Sequence, residues 1–165
     1  MITAAELIKI FEMQKHPEGG YFREIYRSTE IVPQQALPSR YAGARCFSTS
    51  IYFLLAGGTI SRLHRLASDE IWHFYLGQPL ELLQISPEGQ GAKIYLGKDI
   101  TSGQKLQHAV PAGYWFGARP VEGSEFSFVG CTVAPGFDYA DFELANPEVL
   151  SRAFPALKKE IYQFC

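Results

Sequence analysis

From Gly20 to about residue 135 the chain is a series of short runs of aromatic and β-branched residues, interrupted every eight to twelve positions by Gly, Pro, Ser or Asp. The runs are YFREIYRS, STSIYFLL, EIWHFYLG, LELLQIS, AKIYLG, LQHAVPAG and FSFVGCTVA. Runs of this length and composition, bounded by turn residues, are typical of β-strands. Because no helical pattern lies between them, they favour an antiparallel sandwich or barrel over an alternating βαβ fold. The sequence therefore predicts an all-β core.

Helical patterns are confined to the two ends of the chain. Thr3 and Glu6 have the spacing of a capping box at the start of an amphipathic run, which predicts a helix over about residues 3–14. Asn-Pro and Phe-Pro pairs predict short C-terminal helices within about residues 146–164. The predicted order is helix, β-core over about residues 20–135, then short helices.

Composition limits the class of protein. A chain of 165 residues is long enough for one domain around one core. Charged residues make up 19% of it, below the roughly 25% of an average soluble domain, so we expect part of the surface to be hidden in a homodimer. The net charge of −2, without a block of like charges, gives no reason to expect nucleic-acid binding. No stretch approaches the roughly 20 apolar residues of a membrane span, so no membrane partner is expected.

The cysteines and the N-terminal residues indicate the compartment. The first residues, MITAAELIKIFEMQ, have no basic start and no long apolar core, so they do not predict a secretory signal. Cys46, Cys131 and Cys165 are widely spaced and odd in number, which is typical of free thiols in a reducing compartment. We therefore expect a cytoplasmic protein, with Cys131 as an inert thiol inside an apolar strand.

Segment 58–77 has the pattern G-x5-H-x-L-x3-E-x6-G, in which His64 and Glu70 are the ionisable residues. It resembles the first signature of the cupin superfamily, where glycines flank a His-x-His pair and a glutamate. Leu66 stands where the second histidine of that signature belongs. The second cupin signature, P-x-G-x-x-H, is matched by PAGYWF, whose last residue, Phe116, stands in place of the histidine.

A closer resemblance covers nearly the whole chain. The segments HPEGGYFREIYRS, SIYFLL, LHRLASDEIWHFYLG, VPAGYWFGA and VGCTVAPGFDYADFEL are similar to those of the cupin-5 type family. This resemblance implies a single cupin domain over residues 1–165, built as an antiparallel double-sheet jelly-roll β-barrel and usually paired as a dimer. It leaves the activity open, because one fold can carry unrelated functions.

The missing histidines decide what we expect of a metal. Metal sites of cupins use three histidines and a carboxylate, and catalytic metal sites generally need at least three protein ligands. With only His64 and Glu70 retained, no cofactor is predicted. A divalent metal would need a third ligand from His73, which strand alternation places on the opposite face from Glu70 and Trp72. The open alternatives are a metal site, a buried His–Glu pair without function, and a small-molecule pocket in which a nearby carboxylate raises the proton affinity of His64 for acid–base work.

Further candidates for ligand binding come from strand parity. Arg23 lies on the arginine-bearing face of YFREIYRS and is a candidate anchor for an anionic group, or else a solvent or dimer contact. Gln107 and Trp115 are placed to orient a sugar or a base inside the barrel, and Trp72 either joins them or belongs to the core.

Two loops complete the set of candidates. HPEGG is a turn whose glycines permit close approach to a ligand, although a plain turn also fits, and we expect His16 within it at the surface or an interface. Residues 30–45 contain two prolines and little periodicity, which predicts a long loop of the kind that often carries function.

Three classes of function fit these residues. The first is a small-molecule-binding cupin with metal-independent isomerase-like or epimerase-like activity on a sugar or nucleotide-sugar, using His64, Glu70 and Arg23. The second is a metal-dependent cupin enzyme of the dioxygenase or decarboxylase type. The third is a binding or sensory module that uses the same pocket without turnover.

Overall fold

The computed structural model describes residues 2–165 and is built mainly of β-strands. Its strands are β1 (Gln14–Lys15), β2 (Tyr21–Arg27), β3 (Ile31–Val32), β4 (Arg45–Cys46), β5 (Thr49–Ala56), β6 (Ser61–Arg65), β7 (Asp69–Gly77), β8 (Leu80–Ile85), β9 (Gly91–Leu96), β10 (Gln107–Val110), β11 (Trp115–Pro120), β12 (Phe126–Ala134) and β13 (Glu143–Leu144). Its α-helices are α1 (Ala4–Ile10), α2 (Pro147–Ala153) and α3 (Lys158–Gln163), and 3-10 turns lie at Gln34–Ala36, Ile100–Ser102, Tyr139–Asp141 and Pro155–Leu157. No helix within this part of the chain is long and apolar enough to cross a membrane.

The strands form two antiparallel sheets. The six-stranded sheet has the order β1-β2-β5-β12-β7-β10, and the five-stranded sheet has the order β13-β6-β11-β8-β9. Strands β3 and β4 form a separate small ribbon. The prediction of an antiparallel jelly roll is confirmed, with one correction: the two sheets do not join edge to edge into a closed barrel, so the fold is a jelly-roll sandwich.

Each of the seven runs found in the sequence forms a strand, but three strands of the five-stranded sheet were not among them. The first is β6, SRLHR, in which two arginines flank the adjacent buried residues Leu63 and His64. The second is β11, which begins at Trp115 within PAGYWF, and the third is the two-residue strand β13. The N-terminal helix is also shorter than predicted: it ends at Ile10, and Glu12 has a positive φ of 49°.

Apolar side chains fill the space between the sheets and cover one outer face. Phe53, Trp72 and Phe116 belong to the core between the two sheets. A second cluster packs α2 and α3 against the outer face of the five-stranded sheet. Helix α1 covers only one end of the outer face of the six-stranded sheet, where Phe11 stacks on Phe128. The rest of that face carries exposed apolar residues.

Candidate functional site

A cavity of about 530 Å³ lies against the inner face of the six-stranded sheet. Strands β2, β5, β7 and β12 form its floor, β6 of the other sheet contributes one side, and the segment after β12 forms another. Its lining combines titratable groups with aromatic and aliphatic side chains: Gln14, His16, Glu18, Phe22, Glu24, Arg27, Thr49, Ile51, Phe53, His64, Leu66, Glu70, Cys131, Val133, Phe137, Asp138 and Tyr139. A largely apolar concave site with a few convergent polar groups is typical of small-molecule binding.

His64 is held rigidly in one wall of this cavity. It lies in the middle of β6, is 2% exposed, and its ring packs against Phe116 at 4.2 Å between centroids. Its Nδ1 atom lies 2.8 Å from the carbonyl oxygen of Arg62. Since a carbonyl can only accept, Nδ1 carries the proton and donates it. The Nε2 atom of the neutral ring is then a free acceptor.

The HPEGG turn brings a second carboxyl group to His64. The turn connects β1 to β2 and docks on β6, where the Arg62 N–H donates to the Glu18 carbonyl at 2.9 Å. Gly19 makes this approach possible: its φ is +118°, and a Cβ there would lie 2.1 Å from the Ile60 carbonyl oxygen. The Glu18 side chain therefore enters the cavity, where one carboxyl oxygen accepts from the Ser61 hydroxyl at 2.7 Å.

The contact between Glu18 and His64 requires a shared proton. The Oε2 atom of Glu18 lies 3.2 Å from the Nε2 atom of His64, and both groups are buried. Two bare acceptors at this distance would repel, so one proton lies between them. Burial raises the pKa of Glu18 and lowers the pKa of His64 to about 4, and both shifts favour the carboxyl group over the imidazole as the holder of that proton. The expectation that a carboxylate raises the proton affinity of His64 is therefore wrong.

His16 adds a second imidazole beside Glu18. Its side chain is only 8% exposed, and its ring stands edge-on to Phe22 at 4.8 Å. The backbone N–H of Glu18 donates to its Nδ1 atom at 3.4 Å, and burial lowers its pKa. The prediction that His16 lies at the surface or an interface is wrong, because the turn folds inward onto β6.

Glu70 is a separate acid–base group of the cavity. It lies on the inward face of β7 and is 7% exposed. Burial raises its pKa to about 8, the Glu18 carboxyl group raises it further when that group is ionised, and the neighbouring Cys131 thiol acts in the opposite direction. Burial also raises the pKa of the Cys131 thiol well above its ordinary value, so that thiol remains protonated. A carboxyl group with a pKa near 8 is suited to take and give protons near neutral pH.

The structure brings two of the predicted site residues into the cavity. His64 and Glu70 both line it, as the sequence pattern predicts, while their chemical roles stay predictions. They do not form the expected pair, since the carboxyl group in contact with His64 is that of Glu18. Residues 30–45 do not line this cavity. Tyr41 of this segment is buried elsewhere, and its hydroxyl is hydrogen-bonded to the Ser68 hydroxyl at 2.9 Å.

Arg23 lies outside the cavity. Its side chain is 48% exposed and pairs with Glu12 at 3.5 Å. Alternation along β2 turns Phe22 and Glu24 inward, and a β-bulge between Glu24 and Tyr26 then brings Arg27, rather than Tyr26, to the same side. Strand parity correctly separates Arg23 from Glu24, but it misses the bulge that moves Arg27 and does not reveal which face is the inner one.

The other three predicted ligand contacts also lie elsewhere. Trp72 is 1% exposed in the core, behind the cavity wall. Trp115 packs among the residues under α2 and α3, with the Arg65 guanidinium 4.6 Å above its ring, because Phe116 takes the inward position. Gln107 is exposed on the edge strand β10. None of them lines the cavity, so the prediction of one shared site is wrong for these residues.

The donor set does not fit a cupin metal centre. The two positions that differ from the metal-binding signatures are filled by the buried apolar side chains of Leu66 and Phe116. His73 lies on the outer face of β7, where its Nε2 atom contacts the Thr132 hydroxyl at 3.0 Å. Across residues 2–165, no group of three or more His, Cys, Asp or Glu side chains is placed to hold a metal ion.

The jelly-roll sandwich, with a cavity that contains the residues of the first cupin signature, defines the chain as a cupin. The family model Cupin_5, described as cupin superfamily (DUF985), matches residues 5–145, so the chain belongs to this family. An uncharacterized protein of Saccharomyces cerevisiae is 30% identical in an alignment of 152 residues that covers 87% of this chain and 75% of the yeast protein.

Solved structures show the same fold. A protein from Shewanella oneidensis superposes with a TM-score of 0.87 at 40% identity, covering 99% of this chain and 98% of that one. A hypothetical protein from Leishmania major superposes with a TM-score of 0.89 at 33% identity, covering 99% of both chains. Oxalate decarboxylase from Bacillus subtilis gives a TM-score of 0.54 at 17% identity, covering 92% of this chain and 36% of that one, which is a likeness of fold alone.

The raised pKa of Glu70 predicts a dependence of stability on pH. The folded protein keeps the Glu70 proton up to about pH 8, whereas the unfolded chain loses it near the ordinary value of 4.5. The folded state binds more protons in this interval, so the free energy of unfolding falls as pH rises, by up to about 1.4 kcal/mol per pH unit. His64 has the opposite sign, but only below its ordinary pKa of 6.5.

Urea unfolding between pH 6.5 and pH 8 isolates the contribution of Glu70. We expect the difference in unfolding free energy between the wild type and Glu70→Gln to shrink steadily across this interval, because the amide does not titrate. If both proteins showed the same pH slope, Glu70 would not hold a proton in the folded state.

Proposed function

We propose that the cavity binds a small molecule and moves a proton on it without a metal, as an isomerase-like or epimerase-like enzyme acting on a sugar or nucleotide-sugar. One observation carries this proposal: two buried carboxyl groups with raised pKa, Glu18 and Glu70, line the same cavity in different surroundings. Carboxyl groups whose environments differ in this way can take different roles in one proton transfer.

The geometry supports a division of roles between the two carboxyl groups. Glu70, with a pKa near 8, is a strong base in its ionised form and would remove the proton from a carbon next to a carbonyl group. The proton between Glu18 and His64 would pass to the carbonyl oxygen of the substrate. Returning one proton to carbon and the other to Glu18 would complete the reaction, with no net change in protons or electrons on the protein.

Exchange of carbon-bound hydrogen with solvent tests this proposal before the product is known. Monosaccharides, their 6-phosphates and uridine diphosphate sugars would be incubated with the protein in D₂O and followed by proton NMR. We expect loss of signal at a carbon next to a carbonyl group, dependent on the protein. Binding without exchange for all of these compounds would instead support a binding module without turnover.

We also propose a homodimer that uses the open part of the outer face of the six-stranded sheet. On β7, Ile71 and Tyr75 point to this face and are 38% and 42% exposed. The corresponding face of the other sheet is already covered by α2 and α3. A contiguous exposed apolar surface is typical of an interface between subunits.

Sedimentation velocity tests the dimer. We expect the wild type at micromolar concentration to sediment at twice the 18.5 kDa chain mass. Tyr75→Glu should shift it to the monomer, because a charge would be buried at the interface. Tyr95→Glu, at a 43% exposed tyrosine of β9 in the other sheet, is the matched control and should leave the dimer intact. A monomeric wild type would contradict the proposal.

A further inference from the structure

The charges around the cavity distinguish between the two substrate classes of the proposed function. Resting on that function, we infer that the site takes an uncharged hydroxylated ring, such as a free sugar, and rejects phosphate-bearing forms, including nucleotide-sugars. The inference rests on how the one guanidinium of the cavity lining is engaged, on the acids around it, and on the aromatic walls.

Arg27 is the single arginine or lysine among the cavity-lining residues of the described chain, and its guanidinium forms an ion pair with Glu24. The Nε and Nη2 atoms donate to the two carboxylate oxygens of Glu24 at 3.1 and 2.8 Å. The Nη1 atom donates to the Phe137 carbonyl at 3.1 Å. Both the charge and the paired donor edge that would grip a phosphate are therefore taken by a neighbouring acid.

The other ionisable groups of the cavity lining are mainly acidic. Asp138 lines the cavity and is exposed to solvent, while Glu18 and Glu70 lie deeper inside. A phosphate group that entered would lose water and meet carboxyl groups without a free cation to compensate it. A negatively charged ligand would also oppose ionisation of Glu70, the form that the proposed proton transfer needs.

The walls suit an uncharged ring instead. Phe22 and Phe53 lie on the sheet side of the cavity, while Phe137 and Tyr139 belong to the segment after β12. Aromatic faces cover the apolar side of a flat ring at little cost in conformational entropy. Hydroxyl groups of such a ring would find acceptors among the carboxyl and imidazole groups of the cavity.

Matched ligands test this inference. Calorimetric titration would compare glucose and galactose with their 6-phosphates and with uridine diphosphate glucose. We expect each free sugar to bind at least tenfold more tightly than its phosphorylated form. Tighter binding of the phosphorylated forms would overturn the inference. Failure of both the free sugars and the phosphorylated forms to bind would also overturn it.

Glu24→Gln provides a second, independent measurement. The substitution frees the Arg27 guanidinium at a position already 44% exposed, so affinity for the sugar phosphates should rise at least tenfold relative to affinity for the free sugars. Glu143→Gln is the control, because it breaks a comparable pair with Arg65, 43% and 55% exposed, away from the cavity lining. Unchanged phosphate affinity in Glu24→Gln would show that Arg27 does not determine ligand charge.

The two proposals fail in different ways. Binding of free sugars without exchange of carbon-bound hydrogen in D₂O would refute the proposed proton transfer, while the inferred preference for uncharged sugars would stand. Exchange of carbon-bound hydrogen on sugar phosphates, at a rate that Glu24→Gln lowers, would refute the inferred preference for uncharged sugars. The proposed proton transfer would stand.

Discussion

Replacement of Glu70 by glutamine is expected to reduce the rate of hydrogen exchange on a bound sugar at least about hundredfold, the usual loss when a general base is removed. The amide keeps the size of the side chain and cannot take up a proton. Because the folded protein already holds Glu70 protonated below about pH 8, the neutral amide mimics its resting state and the fold should be retained. Proton NMR in D₂O measures the rate, and circular dichroism checks the fold.

The pH profile separates a base from a merely structural carboxyl group. If Glu70 is the base, wild-type exchange should rise with pH, reach its half-maximal rate near pH 8, where Glu70 is half ionised, and level off above that pH. Glu143→Gln, an equivalent change outside the cavity lining, should reproduce the wild-type profile. Full activity in Glu70→Gln would assign the proton transfer to another group.

The fold could be predicted because local patterns and the core agree. Each of the seven aromatic and β-branched runs forms a strand, and the capping box of Thr3 and Glu6 is present at the start of α1. Strand β6, which carries His64, was not predicted as a strand because its two arginines interrupt the apolar alternation. A strand that borders a ligand cavity need not have the apolar alternation of a core strand, so a search for that alternation misses it.

Two of the four buried His and Glu side chains of the cavity could not be found from alternation, because they do not lie on strands. Glu18 and His16 belong to a turn, and a turn has no period that assigns its side chains to a face. The available signal was the pair of glycines in HPEGG: Gly19 permits the close approach to Ile60 that pushes Glu18 inward. In this chain the two glycines of HPEGG were therefore a better sign of the cavity than strand parity was.

The segment that closes the cavity depends on one buried ion pair far away in sequence. Arg45, on β4, donates from Nε to a carboxylate oxygen of Asp141 at 2.7 Å, and the side chains are only 5% and 6% exposed. Asp141 ends the 3-10 turn that begins at Tyr139, one of the cavity-lining aromatics. Loop 30–45 thus acts on the site indirectly, by supplying the partner that holds this segment in place.

Arg45→Met is expected to lower the free energy of unfolding by about 3–5 kcal/mol, because it leaves the Asp141 carboxylate buried without a cation. Methionine keeps an aliphatic stem at this position, so packing contributes little to the loss. The double substitution Arg45→Met with Asp141→Leu should recover most of the stability, since a buried ion pair can usually be replaced by apolar residues of similar size. Urea unfolding of the wild type, the single variant and the double variant measures both effects. Equal losses in the single and the double variant would mean that the two side chains act independently, and that the segment beside Tyr139 is held by other contacts.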